Sequence, residues 1–173
     1  MIDKIIQVYH DMVLLESLDR PYELEDVTKH LGHQLPELEK HGFNSIRLYS
    51  CVDEPGHAFM TGYRGGAFEI HHQHMIDGIE MQGQKNILGK TPTRFVSTAF
   101  NLIRPELESG KDTRIIAPEA HISAYHRLAT VIGKKYGYRV TEPYKRDDGD
   151  HVFSIGKNPS PLFGMPPIRK PKS

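Results

Sequence analysis

The chain has 173 residues, 22 Lys plus Arg against 22 Asp plus Glu, eleven His and one Cys. That length suits one domain with one core, and the balanced charge excludes a global field drawing the protein to nucleic acid or to an anionic membrane. The lone Cys51 excludes an intramolecular disulfide and fits a reducing cytoplasm, and neither a membrane-length apolar run nor a signal-peptide pattern is present, so the chain reads as soluble and unprocessed.

Residues 2–18 place Ile2, Ile5, Ile6, Tyr9, Met12 and Val13 at spacings of three and four, which predicts an amphipathic helix stopped by Asp19, Arg20 and Pro21. A second short helix is predicted over 22–31, with Leu24, Val27 and Leu31 on one face and Gly32 at its end. The period then changes to two. Residues 43–52 alternate as a strand, with Ile46, Leu48 and Ser50 on one side and Arg47 and Tyr49 on the other. A turn at Glu54, Pro55 and Gly56 leads to a strand over 58–63, a tight turn at Arg64, Gly65 and Gly66, and a strand over 67–75, an antiparallel meander.

Residues 93–104 carry Phe95, Val96, Ala99, Phe100 and Ile103 on a helical period; Pro105, which lacks a donor and crowds the preceding turn, is expected to end that helix. The apolar run 114–117 suits a buried central strand. The next helix is predicted over 122–136, with Tyr125, Leu128, Ala129 and Ile132 inward and Gly137 as the left-handed residue that ends it. Strands over 138–145 and 150–156, split by the turn signal Asp147, Asp148, Gly149, make a closing hairpin. Residues 158–173 hold five Pro with Arg169, Lys170 and Lys172, the composition of an extended or disordered tail whose three basic residues are no strong nucleic-acid signal. The fold class is α/β (α+β): one domain over 1–157 on a mixed, mostly antiparallel sheet with helices on both faces.

The stretch 83–92 reads GQKNILGKTP. A phosphate loop of the G-x-x-x-x-G-K-[ST] type needs four residues before its second Gly, so that successive N–H groups curl around the phosphates. Here five residues separate Gly83 from Gly89, and 74–81 is not a clean buried strand feeding the loop. The plainer reading is a glycine-bearing turn that delivers a helix N-terminus, with Thr91 as cap and Pro92 at the first helical position.

The element order, that turn, and a helix ending in Lys135, Tyr136, Gly137 and Tyr138 resemble the GNAT-type N-acetyltransferases over 1–157. The family usually opens with a strand and this chain is predicted to open with a helix, so its third strand stands where the family's fourth does. The resemblance implies a loop Q/R-x-x-G-x-G/A whose N–H groups hold the coenzyme A pyrophosphate at a helix start. Gln84 and Gly89 match, but the middle glycine is Ile87, which resists positive φ and close backbone approach. Acetyl-CoA is the implied cofactor, with Gln84, Lys85, Gly89, Lys90 and Thr91 as its site.

The family's second motif, N-x-x-A-x-x-x-Y-x-K-x-G-F, can be laid on 126–138, where Ala129, Lys135, Gly137 and the aromatic Tyr138 fit. His126 stands at the Asn position, and Gly133 at that of the Tyr that often protonates the departing thiolate. Tyr125, His126 and Tyr136 are the candidates to replace that phenol as general acid. The implied reaction is direct attack of an amine, of a small molecule or a protein, on the thioester. The oxyanion donor would be a backbone N–H of the third strand, left free where the sheet splays.

The densest polar cluster is 69–74. In a strand, His72 and His74 share a face with Ile70, while Glu69, His71 and Gln73 take the other. His72 and His74 can share a metal with His57 or His33, or one of them can be a general base; the plain alternative is an exposed His-rich face. Glu69 and Glu119 are candidate bases for the amine proton, against the plainer reading of solvated surface carboxylates. Cys51, with no adjacent His or Lys, reads as a small buried hydrophobe. Open sheet edges are compatible with a homodimer.

Two functions follow. One is a divergent acyltransferase using acetyl-CoA, favoured by Gln84, Gly89 and Thr91. The other, favoured by Ile87 and Gly133, is the same fold without the cofactor chemistry, acting as a binding or structural module of the kind tailed-phage genomes carry by analogy.

Overall fold

The structure, a computed structural model, describes residues 20–54, 56–76, 79–80, 92–117, 119–147 and 149–159, the side chains of 73–76, 79, 80, 92, 93 and 120 excepted. In chain order these form β1 (Leu24–Asp26), a 3-10 turn (Thr28–Leu31), α1 (Leu35–Lys40), β2 (Phe43–Cys51), β3 (His57–Arg64), β4 (Ala67–Ile76), β5 (Ile79–Glu80) and α2 (Pro92–Glu108). There follow β6 (Thr113–Ala117), α3 (Glu119–Tyr136), β7 (Arg139–Val140), β8 (Tyr144–Lys145) and β9 (His151–Gly156).

The sheet runs β1-β2-β3-β4-β6-β9-β7, with β5 on β4 and β8 on β9. Among the described residues every strand pair is antiparallel except β4 with β6. A parallel return needs a crossover, and α2 supplies it. The alternation of the central strands then decides what each face buries. Phe59, Phe68, Ile70, Ile115, Phe153 and Ile155 share one cluster with the apolar stripes of α2 and α3, so both long helices cover the same face. Phe59, Phe95 and Phe153 are fully buried there, each contributing roughly 1.5–3 kcal/mol relative to exposure. On the opposite face Leu35 and Leu38 of α1 join Val27 and Leu31 over Phe43, Ile46, Leu48, Ala58 and Met60. The mixed, mostly antiparallel sheet with helices on both faces is thus as the patterning predicts.

The helix predicted over 22–31 is a strand followed by a 3-10 turn. Asp26 Oδ1 accepts from the Thr28 backbone N–H at 2.9 Å and from its hydroxyl, an Asx turn that competes with helical bonding. The Val27 N–H donates to the Leu48 carbonyl at 2.8 Å and the Leu48 N–H to Thr28 Oγ1 at 3.0 Å, which ties the segment to β2. Helix α1, which the patterning left unassigned, opens with Pro36 in its first turn.

Pro105 does not end α2, which continues to Glu108. Pro105 and Asn101, whose carbonyl loses its donor, are both exposed, so water can serve that acceptor. The last turn is anchored by the fully buried Leu107 and by Glu106, which accepts from the Tyr63 hydroxyl at 2.6 Å and pairs with Lys111 at 2.9 Å. The strand predicted over 138–145 is split into β7 and β8 because Pro143 has no N–H for the ladder. The predicted helix over 2–18 and the tail beyond residue 159 lie outside the described residues.

Helix α3 ends as expected at Gly137, φ 76°, where the Tyr138 N–H returns to the Gly133 carbonyl at 2.8 Å. Among the described residues no helix is long and apolar enough to cross a membrane.

Candidate functional site

The parallel pairing of β4 with β6 runs from Phe68 opposite Thr113 to His71 opposite Ile116. Beyond it β4 continues to Ile76, whereas β6 ends at Ala117 and α3 starts at Glu119. The carboxyl ends of the two central parallel strands therefore part just after His71, the kind of crevice where ligands bind in α/β sheets. His72 is the first residue past this fork.

His72 is buried, packed against Phe59 and Phe95 with ring centroids 4.9 Å from each. Its Nδ1 lies 2.6 Å from the Tyr125 hydroxyl of α3, and its Nε2 lies 3.1 Å from Nδ1 of His57 on β3. His121, one turn before Tyr125, is buried with its ring centroid 6.5 Å from that of His72. Tyr125 is 1% exposed, and burial, with Cys51 behind it, holds its phenol well above the ordinary tyrosine range. The hydroxyl therefore keeps its proton and shares a hydrogen bond with His72 Nδ1. Three polar side chains from three elements are joined end to end inside an aromatic wall, where apolar residues would pack without the cost of dehydrating them.

Of the general-acid candidates, only Tyr125 reaches the fork cluster. His126 donates Nε2–H to the Thr141 carbonyl at 3.1 Å and sets its ring against Phe153, fastening α3 to the strand connection. Tyr136 is half-exposed and stacks on Phe100 at the far end of the helix. The Gly133 position leaves no room for a phenol, since a Cβ there would stand 2.7 Å from the Tyr138 carbonyl oxygen.

Glu69, offered as a base, is 1% exposed and faces away from His72. It is bound by Arg64 at 3.0 Å, His71 at 3.2 Å and Arg114 at 3.2 Å. Burial pushes its carboxyl up, but the His71 hydrogen bond and the charges of His71, Arg64 and Arg114 overcome that and bring it down to about 2. So acidic a carboxylate is a poor acceptor for an ammonium proton, and its role is to pair two partly buried guanidiniums. Glu119 is exposed on the first turn of α3, 3.9 Å from Lys145, with its charge suited to the helix N-terminus.

No family model, curated protein or solved structure matches this chain.

Among the described residues no group of three or more His, Cys, Asp or Glu is placed to hold a metal. The backbone sets His57 opposite His74, whose side chain lies outside the described set. Gln84, Lys85, Gly89, Lys90 and Thr91 also lie outside it. The helix that follows them is described: α2 opens at Pro92, as its sequence predicts, with no acidic residue of its own in the first turn, where Arg94 pairs with Asp53 at 3.4 Å. Cys51 is buried, and burial first, then Glu54, pushes its thiol up to about 12, so it is no nucleophile at neutral pH.

The sequence pattern groups His57 with His72 only as possible metal ligands, names Tyr125 apart from them, and does not single out His121. Two signals were present. A two-residue turn sets Arg64 against Ala67 and hence His57 against His74, and His121 stands four residues before Tyr125, on the same helical face.

Proposed function

We propose that this protein is a divergent acyltransferase that moves an acetyl group from acetyl-CoA to an amine at the fork between β4 and β6. The observation that carries the reading is the parting of the parallel pair after His71 with the Tyr125–His72 bond at that point. The opening strand β1 adds support, because it supplies the element the GNAT-type order begins with and makes 67–76 the fourth strand.

In this reading the strand β4 backbone beyond the fork offers N–H groups to the charge that develops on the thioester oxygen. The α2 N-terminus, with no acidic residue of its own in the first turn, suits the pyrophosphate. Tyr125 holds a proton beside the reacting centre. The amine nitrogen bonds to the acetyl carbon, the carbon–sulfur bond breaks, and a proton goes to the departing thiolate.

A thiol-release assay with acetyl-CoA and a panel of primary amines tests it. Release that falls about 10²-fold in Tyr125→Phe is expected. No release above the uncatalysed rate overturns it. The second reading, a binding module of the same fold, is favoured by one observation: position 133 has no space for the phenol the family pattern places there.

A further inference from the structure

On the sheet face turned away from His72, Glu69 gathers side chains from β3, β4 and β6. Arg64, which closes β3, reaches Glu69 Oε1 through Nε at 3.3 Å and Nη2 at 3.2 Å, and Oε2 through Nη2 at 3.0 Å. Arg114 stands opposite Glu69 in the β4–β6 register and donates from Nη1 to Oε1 at 3.2 Å. His71 Nε2 lies 3.2 Å from Oε2. Phe43 braces the group, with the Arg64 guanidinium 4.6 Å over its ring and the His71 ring centroid 5.7 Å from its own. The apolar cluster under α1 reaches β3 and includes no residue of β4, β6 or β9.

Neither charge nor donors close within this group. Among the described residues Glu69 is the one carboxylate that pairs with either guanidinium, so two positive charges share one negative charge where the Arg64, Arg114 and Glu69 side chains are 16%, 11% and 1% exposed. Burial pulls the Arg64 guanidinium below its ordinary range; the Glu69 charge opposes that, Arg146 and Arg114 add to it, and the net direction is down. A charge so far out of water is costly until it is paired. As for donors, the Nε–Nη2 edge of a guanidinium matches two oxygens of one anion. Arg64 spends that edge on Glu69, whereas Arg114 meets Glu69 through Nη1 and keeps its own Nε–Nη2 edge without an acceptor among the described residues. The side chain is not sealed, so that edge can be reached from water.

The geometry points to a small-oxyanion site at Arg114: the carboxylate or phosphate group of a ligand lies along its Nε–Nη2 edge, a second acid beside Glu69 that balances the surplus positive charge. Glu69 and Arg64 are the positioning residues, since their bidentate pair fixes the oxygen on which Arg114 is anchored. The site lies on the opposite face from the fork and does not rest on the acyltransferase reading.

Arginine side-chain NMR of the ¹⁵N-labelled full chain tests it, with sodium acetate and inorganic phosphate as separate titrants at constant ionic strength against chloride. A saturable shift of the Arg114 Nε–H signal, half complete below about 10 mM for at least one titrant, is expected. The exposed Arg47, paired with Asp26, is the internal reference for general screening. Saturation by acetate alone assigns a ligand carboxylate, and saturation by phosphate alone assigns a phosphate. Arg114→Lys keeps the charge and loses the edge, and is expected to weaken the binding about tenfold, read at Arg64 Nε–H. In Glu69→Gln the surplus grows by one charge, so the preferred anion is expected to raise the thermal midpoint of this variant more than that of wild type. An Arg114 signal that moves no more than Arg47 with either titrant overturns the site whether or not the variants fold. Unchanged affinity in a folded Arg114→Lys, or an equal or smaller rise in a folded Glu69→Gln, also overturns it.

Discussion

Tyr125 and His72, 53 residues apart in the chain, are joined by a buried hydrogen bond of 2.6 Å that ties helix α3 to strand β4 where β4 leaves its parallel partner. Removing the hydroxyl in Tyr125→Phe keeps the ring and takes the Tyr125 hydrogen bond away from His72 Nδ1. The expected loss is about 1–3 kcal/mol of unfolding free energy, the usual cost of stranding a buried polar atom. Urea denaturation of the variant against wild type checks it, with a change below about 0.5 kcal/mol counting against a bond of this kind.

Glu69 makes the fold sensitive to acid. Its folded-state carboxyl is depressed, so the stability it contributes is present above the unfolded Glu range and is lost as pH falls from about 4.5 towards about 2. The displacement corresponds to on the order of 3 kcal/mol. Glu69→Gln is expected to flatten the acid limb of a stability-versus-pH curve and, because Arg64 and Arg114 lose their carboxylate, to cost roughly 3–5 kcal/mol at neutral pH. A wild-type curve without a decline in that window contradicts the assignment.

Gly133 is required by contact. A methyl at this position meets the Tyr138 carbonyl at 2.7 Å and Val140 at 3.3 Å, and backbone cannot yield as a flexible side chain can. Gly133→Ala is therefore expected to destabilise by about 1–3 kcal/mol, despite the better helix propensity of Ala. A rise in thermal midpoint would refute the close approach.

Pro105 interrupts a helix that tertiary contacts carry through. Replacing it with Ala restores a donor for Asn101 and removes a steric conflict nominally worth about 3 kcal/mol, offset by about 1 kcal/mol of added unfolded-chain entropy. A net gain of about 1–2 kcal/mol in Pro105→Ala is expected by denaturant titration, and a loss would show that the proline shapes the Tyr63–Glu106–Lys111 anchor.

The long elements were legible because their periodicity is strong: the apolar stripes of α2 and α3, the alternation of β2, and the two-glycine turn between β3 and β4 all stand in the structure. What failed were places where one side chain decides. Asp26 bonding to Thr28 turns a helical-looking segment into strand plus 3-10 turn, and the anchors at Glu106 and Leu107 carry α2 past Pro105. The site was half legible. Glu69 and His126 were named as catalytic candidates, yet their partners, two guanidiniums and a backbone carbonyl, come from distant parts of the chain and give each a fixed structural role. Tyr125 and His72 were named, but their meeting depends on how α3 lies on the sheet, which no local pattern encodes.

The measurement that most directly tests the central claim is isothermal titration of the folded protein with acetyl-CoA, with coenzyme A in parallel. The account predicts saturable heat with micromolar affinity that is lost in Lys90→Ala and Thr91→Ala while the fold is retained. No detectable heat at millimolar acetyl-CoA would contradict it.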